Sequence, residues 1–312
     1  MQPLFTIIIP VFERPREIQR AMQSCLSQCY TDFELIVVDD ASTDGTASAI
    51  RSFEDNRVRL VQHSVNQGQG PARNSGVDAA GGKWLVFMDS DHALQPGALR
   101  RIAFHIENES QGADRFGFRQ QWDTGIITPD PAPSGGILDY HAWIRFAEST
   151  LLADFLLCTK KLTFQTVRWP TVHTADMEYH LSFAKVFTTR LVNEILAIQY
   201  TDSVNRITAS KKMASRELYT RRAQFDIESR SRIIESHGEQ LRRHAPRLFE
   251  LICRVQILSY FICGQKSRGF ELLAPYLAQC SFRFIGLLSI LCAGLSPWTF
   301  LSLQHQKMSR LQ

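Results

Sequence analysis

Two short apolar runs in this chain stop on clustered acids, and each follows a helix-like segment. Glu34-Leu35-Ile36-Val37-Val38 runs into Asp39-Asp40, and Trp84-Leu85-Val86-Phe87-Met88 runs into Asp89-Ser90-Asp91. Phe5-Thr6-Ile7-Ile8-Ile9-Pro10-Val11 and Val58-Arg59-Leu60-Val61 have the same strand character. The first reads as a strand buried on both faces. Between them, Ile18, Ala21, Met22, Cys25, Leu26 and Cys29 recur at helical spacing. Ser42 or Thr43 is placed to cap a short helix through Ile50 and Phe53. Pro71 to Ala80 reads as a helix stopped by Gly81-Gly82. Strand, helix, strand, helix with short links implies a parallel sheet with right-handed crossovers. Such sheets bind ligands beyond the carboxyl ends of their strands. Both acidic clusters therefore converge on one sheet edge.

Beyond about residue 110 the alternation loosens. Residues 123–136 read as a loop over that edge, Asp176 to Lys185 as a helix, and Leu191 to Tyr200 as containing a strand. Residues 212–243 form a charged helical pattern and 246–262 an apolar-striped one. Charge divides with this change: residues 205–312 hold 17 basic and 7 acidic side chains, and residues 1–204 hold 18 and 24. The whole chain carries only +4, too little to argue for nucleic acid, and no nucleic-acid partner is expected. The basic end suits a membrane surface. Phe284 to Leu303 is uncharged, but Pro297 and several small residues interrupt it. A helix lying in the membrane interface, with Trp298 at headgroup depth, fits better than a clean span or an internal core helix. Seven cysteines without a CxxC read as reduced thiols, and Met1-Gln2-Pro3 lacks the basic start of a secretory signal. The expected location is cytoplasmic, peripheral on the inner face of the cytoplasmic membrane.

An Asp-x-Asp at the end of a buried strand suits a hard divalent cation shared with substrate phosphates. Alone it is also what an acidic turn looks like. It is not alone: Val37-Val38-Asp39-Asp40-Ala41-Ser42-Thr43-Asp44-Gly45-Thr46 precedes Asn66-Gln67-Gly68 and Ala72-Arg73-Asn74-Ser75-Gly76, and these precede Gly81 through Asp91. With the opening Ile7 to Phe12, these four signatures resemble the family 2 glycosyltransferases. The resemblance extends from about Pro3 to Tyr200 and implies a GT-A fold, a Rossmann-like α/β architecture with a mostly parallel sheet flanked by helices. The implied domains are 1–205, with a nucleotide-sugar half at 1–110 and an acceptor half at 111–205. A helical, membrane-associating extension follows at 206–312.

The resemblance also implies roles. Asp40 accepts the imide N–H of uracil, Phe12 stacks on the base beside Pro10 and Glu13, and Arg73 pairs with the diphosphate or positions the donor. Asp89 and Asp91 hold Mn2+ or Mg2+, with Asp91 the more direct ligand and Asp89 also facing the nucleotide-sugar. Asp176 is the base for the acceptor hydroxyl, with Asp154 and Glu178 as lesser candidates. His141 and His173 are further candidates for the site. Two departures stand out: Glu13 replaces a frequent Asn, and Ala175 replaces the usual Glu before the base. Gln165-Thr166-Val167-Arg168-Trp169 spells QxxRW, the mark of processive cellulose- and chitin-type synthases, but it precedes Asp176 instead of following it. The expected activity is inverting, metal-dependent transfer from a nucleotide-sugar, a UDP-sugar by preference, to a hydroxyl of a glycan or lipid-linked acceptor in surface polysaccharide synthesis. The alternative is a catalytically degenerate relative that binds sugar nucleotide or membrane.

Overall fold

The computed structural model describes residues 2–109, 112–130, 133, 135–150, 154–171, 176–203 and 216–277. The chain divides into two compact units, Met1–Asn205 and Arg206–Gln312. In the first, β1 (Phe5–Val11), β2 (Phe33–Asp39), β3 (Val58–Gln62) and β4 (Trp84–Phe87) are linked by α1 (Pro15–Leu26), α2 (Thr46–Arg51) and α3 (Gln69–Ala79). They lie parallel in the order β3-β2-β1-β4, with Ile7 opposite both Leu35 and Val86. Pairing of β1 with β4 ends at Ile8, so Pro10 sits past the point where its missing N–H would matter.

The period of two along these strands builds two cores. Ile7, Ile9, Leu35, Val37 and Val86 pack with Ile18 and Met22 of α1 and with Leu99 and Ile102 of α4 (Ala98–Glu107). Ile8, Ile36, Val38, Leu85 and Phe87 pack on the other face, with Ala72 and Val77 of α3 and with Tyr179 and Phe183 of α6 (Asp176–Ala184). Between them the chain forms α5 (Tyr140–Thr150).

Past β4 the sheet is mixed. β5 (His92–Leu94), β6 (Arg115–Trp122), β9 (Leu156–Lys160) and β10 (Thr189–Gln199) continue it in the order β4-β9-β6-β10-β5. β9 runs antiparallel to both β4 and β6, β10 is parallel to β6, and β5 is antiparallel to β10. Residues 123–136, read as loop, include the short β7 (Ile127–Thr128), and β8 (Ile137–Leu138) follows directly. β10 starts at Thr189, earlier than the apolar run suggested, and shifts register around Ile195. The second helix also starts later than expected. Gly45 takes a left-handed φ of 91° before Thr46, and Asp44 Oδ1 accepts from Thr46 N at 3.2 Å. Ser42 Oγ is instead occupied by Glu13 N, 2.8 Å away.

The second unit contains α7 (Arg216–His244), α8 (Pro246–Ile262) and α9 (Lys266–Leu277). Pro246 opens α8, where its absent N–H is harmless. Gly264, at φ 74°, closes it: Gly264 N reaches Phe261 O at 3.1 Å and Gln265 N reaches Tyr260 O at 2.9 Å. Among the described residues, no helix is long and apolar enough to cross a membrane. Phe284 to Leu303 lies outside them.

Gly82 is where α3 returns to the sheet. A Cβ there would lie 2.5 Å from Thr6 N and 2.6 Å from Phe5 C, both backbone atoms of β1. Gly82 N also donates to Thr6 Oγ1 at 2.8 Å. Gly82→Ala is expected to lower stability by about 1–3 kcal/mol, because a backbone clash cannot relax through a rotamer change. Denaturant unfolding with an unchanged slope would show it.

Candidate active site

The first acidic pair is held by backbone. Asp40 N donates to Val11 O at 2.9 Å, joining the ends of β1 and β2. Asp39 closes its own turn, accepting from Ser42 N at 3.0 Å and from Gln62 Nε2 at 3.2 Å. Asp40 is buried, and its Oδ1 accepts from Gln67 N (2.9 Å) and from His63 Nδ1 (2.7 Å). Its Oδ2 accepts from Gly68 N at 2.7 Å. His63 Nε2 in turn meets Ser75 Oγ at 2.8 Å. A carboxylate has about four acceptor positions; among the described residues three are filled here, which leaves one on Oδ2. Pro10 is buried in β1. Phe12 is 37% exposed, as a ring open to a ligand must be. Glu13, at φ 50°, turns its backbone toward Ser42 and its carboxylate toward Thr43 Oγ1, 3.4 Å away.

The second acidic cluster is held by cations. Arg14, next along the same loop, donates to Ser90 Oγ at 3.1 Å and lies 3.4 Å from Asp91 Oδ2. Asp89 Oδ1 accepts from Gln69 Nε2 at 2.7 Å and from Arg73 Nη2 at 3.0 Å. The other end of the guanidinium, Arg73 Nη1, reaches Asp176 Oδ1 at 2.7 Å. One buried arginine thus ties the Asp-x-Asp turn to a helix start 103 residues away. Burial opposes the charge on Arg73, but Asp176 and then Asp89 outweigh it and raise its pKa. Burial likewise opposes ionisation of Asp89, and Arg73, then His92, more than compensate and hold it below the usual carboxylate range. Asp176 is the open member of the set, with a side chain 53% exposed.

Behind Arg73 stands an aromatic wall. The guanidinium lies 4.2 Å from the Trp169 ring centroid, and Trp169 stacks on Tyr179 at 3.7 Å. Asn74 of α3 clamps Trp169 through two backbone bonds, at 2.8 and 3.1 Å. The Cβ position of Gly70 falls 2.1 Å from Pro170 O, so only glycine allows this approach. Asp154 enters the same field. Asp154 is exposed as a residue, yet desolvation of its carboxyl and the nearby Asp89 and Asp176 carboxylates push it up to about 6.

The structure therefore brings Asp89, Asp91, Asp176 and Arg73 into one connected set, and Gly68 and Gln69, adjacent in sequence, connect it to Asp40. Phe12 and Glu13 lie on the loop that carries Arg14. His141 is in α5, whereas His173 and Ala175 fall outside the described residues. Sequence reading missed Arg14, His63, Gln69, His92 and Trp169. For Trp169 a signal existed: QxxRW was set aside for its place in the chain, yet its tryptophan packs on Arg73. The others carry no local pattern, because their partners are distant in sequence.

A sheet in this order, with acidic turns after its second and fourth strands, defines the GT-A class of α/β fold. Residues 6–150 match glycosyl transferase family 2. Over those residues the chain is similar to that family. It is 39% identical over 100 residues to the succinoglycan biosynthesis protein ExoO of Rhizobium meliloti (strain 1021), covering 32% of this chain and 29% of that one. It therefore spans under a third of that relative. It is 26% identical over 228 residues to TuaG of Bacillus subtilis (strain 168), a putative teichuronic acid biosynthesis glycosyltransferase, covering 70% and 86%. The fold also matches residues 1–349 of S. aureus TarS, solved with UDP-GlcNAc, at a TM-score of 0.57 and 15% identity, covering 89% and 93%.

Between about pH 4 and about 6 the folded chain holds a proton on Asp154 that the unfolded chain has released. This contribution to stability is lost as the pH rises through 6. Carboxyl-detected NMR should find Asp154 titrating near 6. Asp176→Asn should move that midpoint down, because one repelling charge is gone.

Proposed function

We propose that the chain is an inverting glycosyltransferase that moves a sugar from a nucleotide-sugar, by preference a UDP-sugar, to a hydroxyl of a glycan or lipid-linked acceptor. The observation that carries this reading is the Arg73 bridge between Asp89 and Asp176. It puts the groups suited to a departing diphosphate and to an incoming alcohol on two ends of one guanidinium. The single acceptor position left on Asp40 Oδ2 suits one base N–H, and the exposed Phe12 ring suits stacking against that base.

The donor set also fits a hard cation: carboxylates from Asp89 and Asp91 and a buried, unpartnered imidazole nitrogen of His92, all within 4.8 Å of one another. Asp89 and Asp91 would hold Mn2+ or Mg2+, which offsets the negative charge that develops on the diphosphate. Asp176 accepts the acceptor's hydroxyl proton on a carboxylate oxygen while the acceptor oxygen bonds to the anomeric carbon. The bond from that carbon to the diphosphate breaks with its electron pair. A single displacement from the face opposite the leaving group inverts the centre. Arg73 holds the Asp176 carboxylate in place before the acceptor arrives and offers its guanidinium to the phosphates when the donor does.

ExoO is named for succinoglycan biosynthesis and TuaG for teichuronic acid biosynthesis, which supports a glycan acceptor. The excess of basic over acidic side chains in residues 205–312 supports work at the inner, anionic face of a membrane.

The test is a screen of nucleotide-sugars with Mn2+ or Mg2+ for transfer or slow donor hydrolysis. For the donor that responds, Asp176→Asn should lower turnover by roughly 10²–10⁴-fold with donor affinity nearly unchanged. Full turnover in that variant refutes Asp176 as the base, and no response to any donor favours the degenerate reading. Removing residues 284–312 should abolish co-sedimentation with vesicles containing anionic lipid. Undiminished co-sedimentation refutes the proposed anchor.

A further inference from the structure

His92 has no role in the reading above, yet its place is tightly determined. It opens β5 at the point where the Asp89-Ser90-Asp91 turn ends. His92 N donates to Asp89 O at 3.0 Å, and Tyr200 N donates to Asp91 O at 2.9 Å. In β10, Gln199 is its register partner. The backbone on both sides of Asp91 is thus pinned, and the imidazole is fixed with it. Its side chain is 7% exposed. Among the described residues Nε2 has no hydrogen-bond partner, and it lies 3.7 Å from Asp91 Oδ1, beyond hydrogen-bonding distance. A buried ring nitrogen left unpaired next to two carboxylates is costly unless something joins them.

We propose that His92 Nε2 is a third protein ligand for the cation held by Asp89 and Asp91, and that it biases the site toward Mn2+ over Mg2+. The inference rests on the reading that those two aspartates hold a cation. Ligand atoms of the three residues already lie within 4.8 Å of one another, so small side-chain shifts bring them to one centre. Asp89 Oδ1 is taken up by Gln69 and Arg73, which leaves the other oxygen of that carboxylate to turn to a cation. Arg14 and Arg73 already offset the carboxylate charge locally. An imidazole nitrogen then adds a donor without adding negative charge. Mg2+ prefers an all-oxygen shell, whereas Mn2+ accepts an imidazole nitrogen readily. The choice of metal would follow from the residue after the Asp-x-Asp turn.

The experiment uses the full chain with Mn2+, with and without UDP, read by electron spin-echo modulation. Bound Mn2+ should show modulation from a directly coordinated nitrogen, and labelling histidine with 15N should change its frequencies. In His92→Gln the modulation should vanish, and Mn2+ affinity should drop roughly tenfold with Mg2+ affinity far less affected. Bound Mn2+ without nitrogen modulation in the unaltered chain overturns the proposal but leaves Asp89 and Asp91 as ligands. Modulation that persists in His92→Gln assigns the nitrogen elsewhere and also overturns it. Failure of the unaltered chain to bind Mn2+ under either condition removes the cation reading itself. The 15N arm needs no variant, so a poorly folding His92→Gln does not blunt the test.

Discussion

A guanidinium buried among aromatic rings must be paired, and the pairing of Arg73 organises the rest of the site. Charge removed from water is tolerated only with close counter-charges and satisfied donors. Arg73 meets that demand with Asp89 on one side, Asp176 on the other and the face of Trp169 behind. The demand runs both ways. The Asp89 carboxylate, partly buried, is held below the usual carboxylate range because Arg73 is there. Loss of the arginine would leave the acids facing one another, a condition already felt at Asp154, whose pKa their charges help to raise.

A second buried arginine shows what the carboxylates contribute. Arg115 in β6 is fully buried, bonds to Thr189 Oγ1 at 3.0 Å and His180 Nδ1 at 3.1 Å, and lies over Phe183 at 4.0 Å. No acid appears among those contacts. Desolvation lowers its pKa to about 10, whereas that of Arg73 is raised. Burial is common to both, so counter-charge makes the difference. Arg115 acts on packing: with His180 and Phe183 it holds α6 from below, and Asp176 is the first residue of that helix. Two rings in succession, His180 and Trp169, join Arg115 to Arg73 along this path.

What the sequence disclosed was local. β1, β2, β3 and β4 could be read because each is a short apolar run bounded by turns, and the acids end up at the sheet edge because strand direction dictates it. The start of α6 at Asp176 was legible too. β6 and β9 were not, since Phe116, Gly117 and Phe118 are a short run between Arg115 and Arg119 and Leu156 to Lys160 mixes apolar with polar residues. Their identity as strands comes from pairing with β4 and β10, partners that no window of sequence includes. The same holds in the site. Asp40 and Asp89 stood out by position after strands, whereas the Arg73 bridge spans 16 residues one way and 103 the other. His63 looks unremarkable until its two ring nitrogens are found between Asp40 and Ser75.

The two acidic turns look alike in sequence and differ in what surrounds them. Around Asp40 the donors are two backbone N–H groups and an imidazole itself anchored by a hydroxyl. Backbone donors cannot swing away, so that carboxylate keeps one orientation and one open acceptor position whatever binds. Around Asp89 and Asp91 the donors are the side chains of Gln69, Arg73 and Arg14. Long side chains can exchange one partner for another at small cost, and a polyanion entering the site competes for the same cations. A rigid acceptor suits discrimination, because a misplaced base leaves a buried group unpaired. An exchangeable ionic set suits chemistry in which charge appears and departs. On the proposed function, neighbouring turns of one sheet edge would thus divide recognition from charge handling, through the kind of donor each has been given.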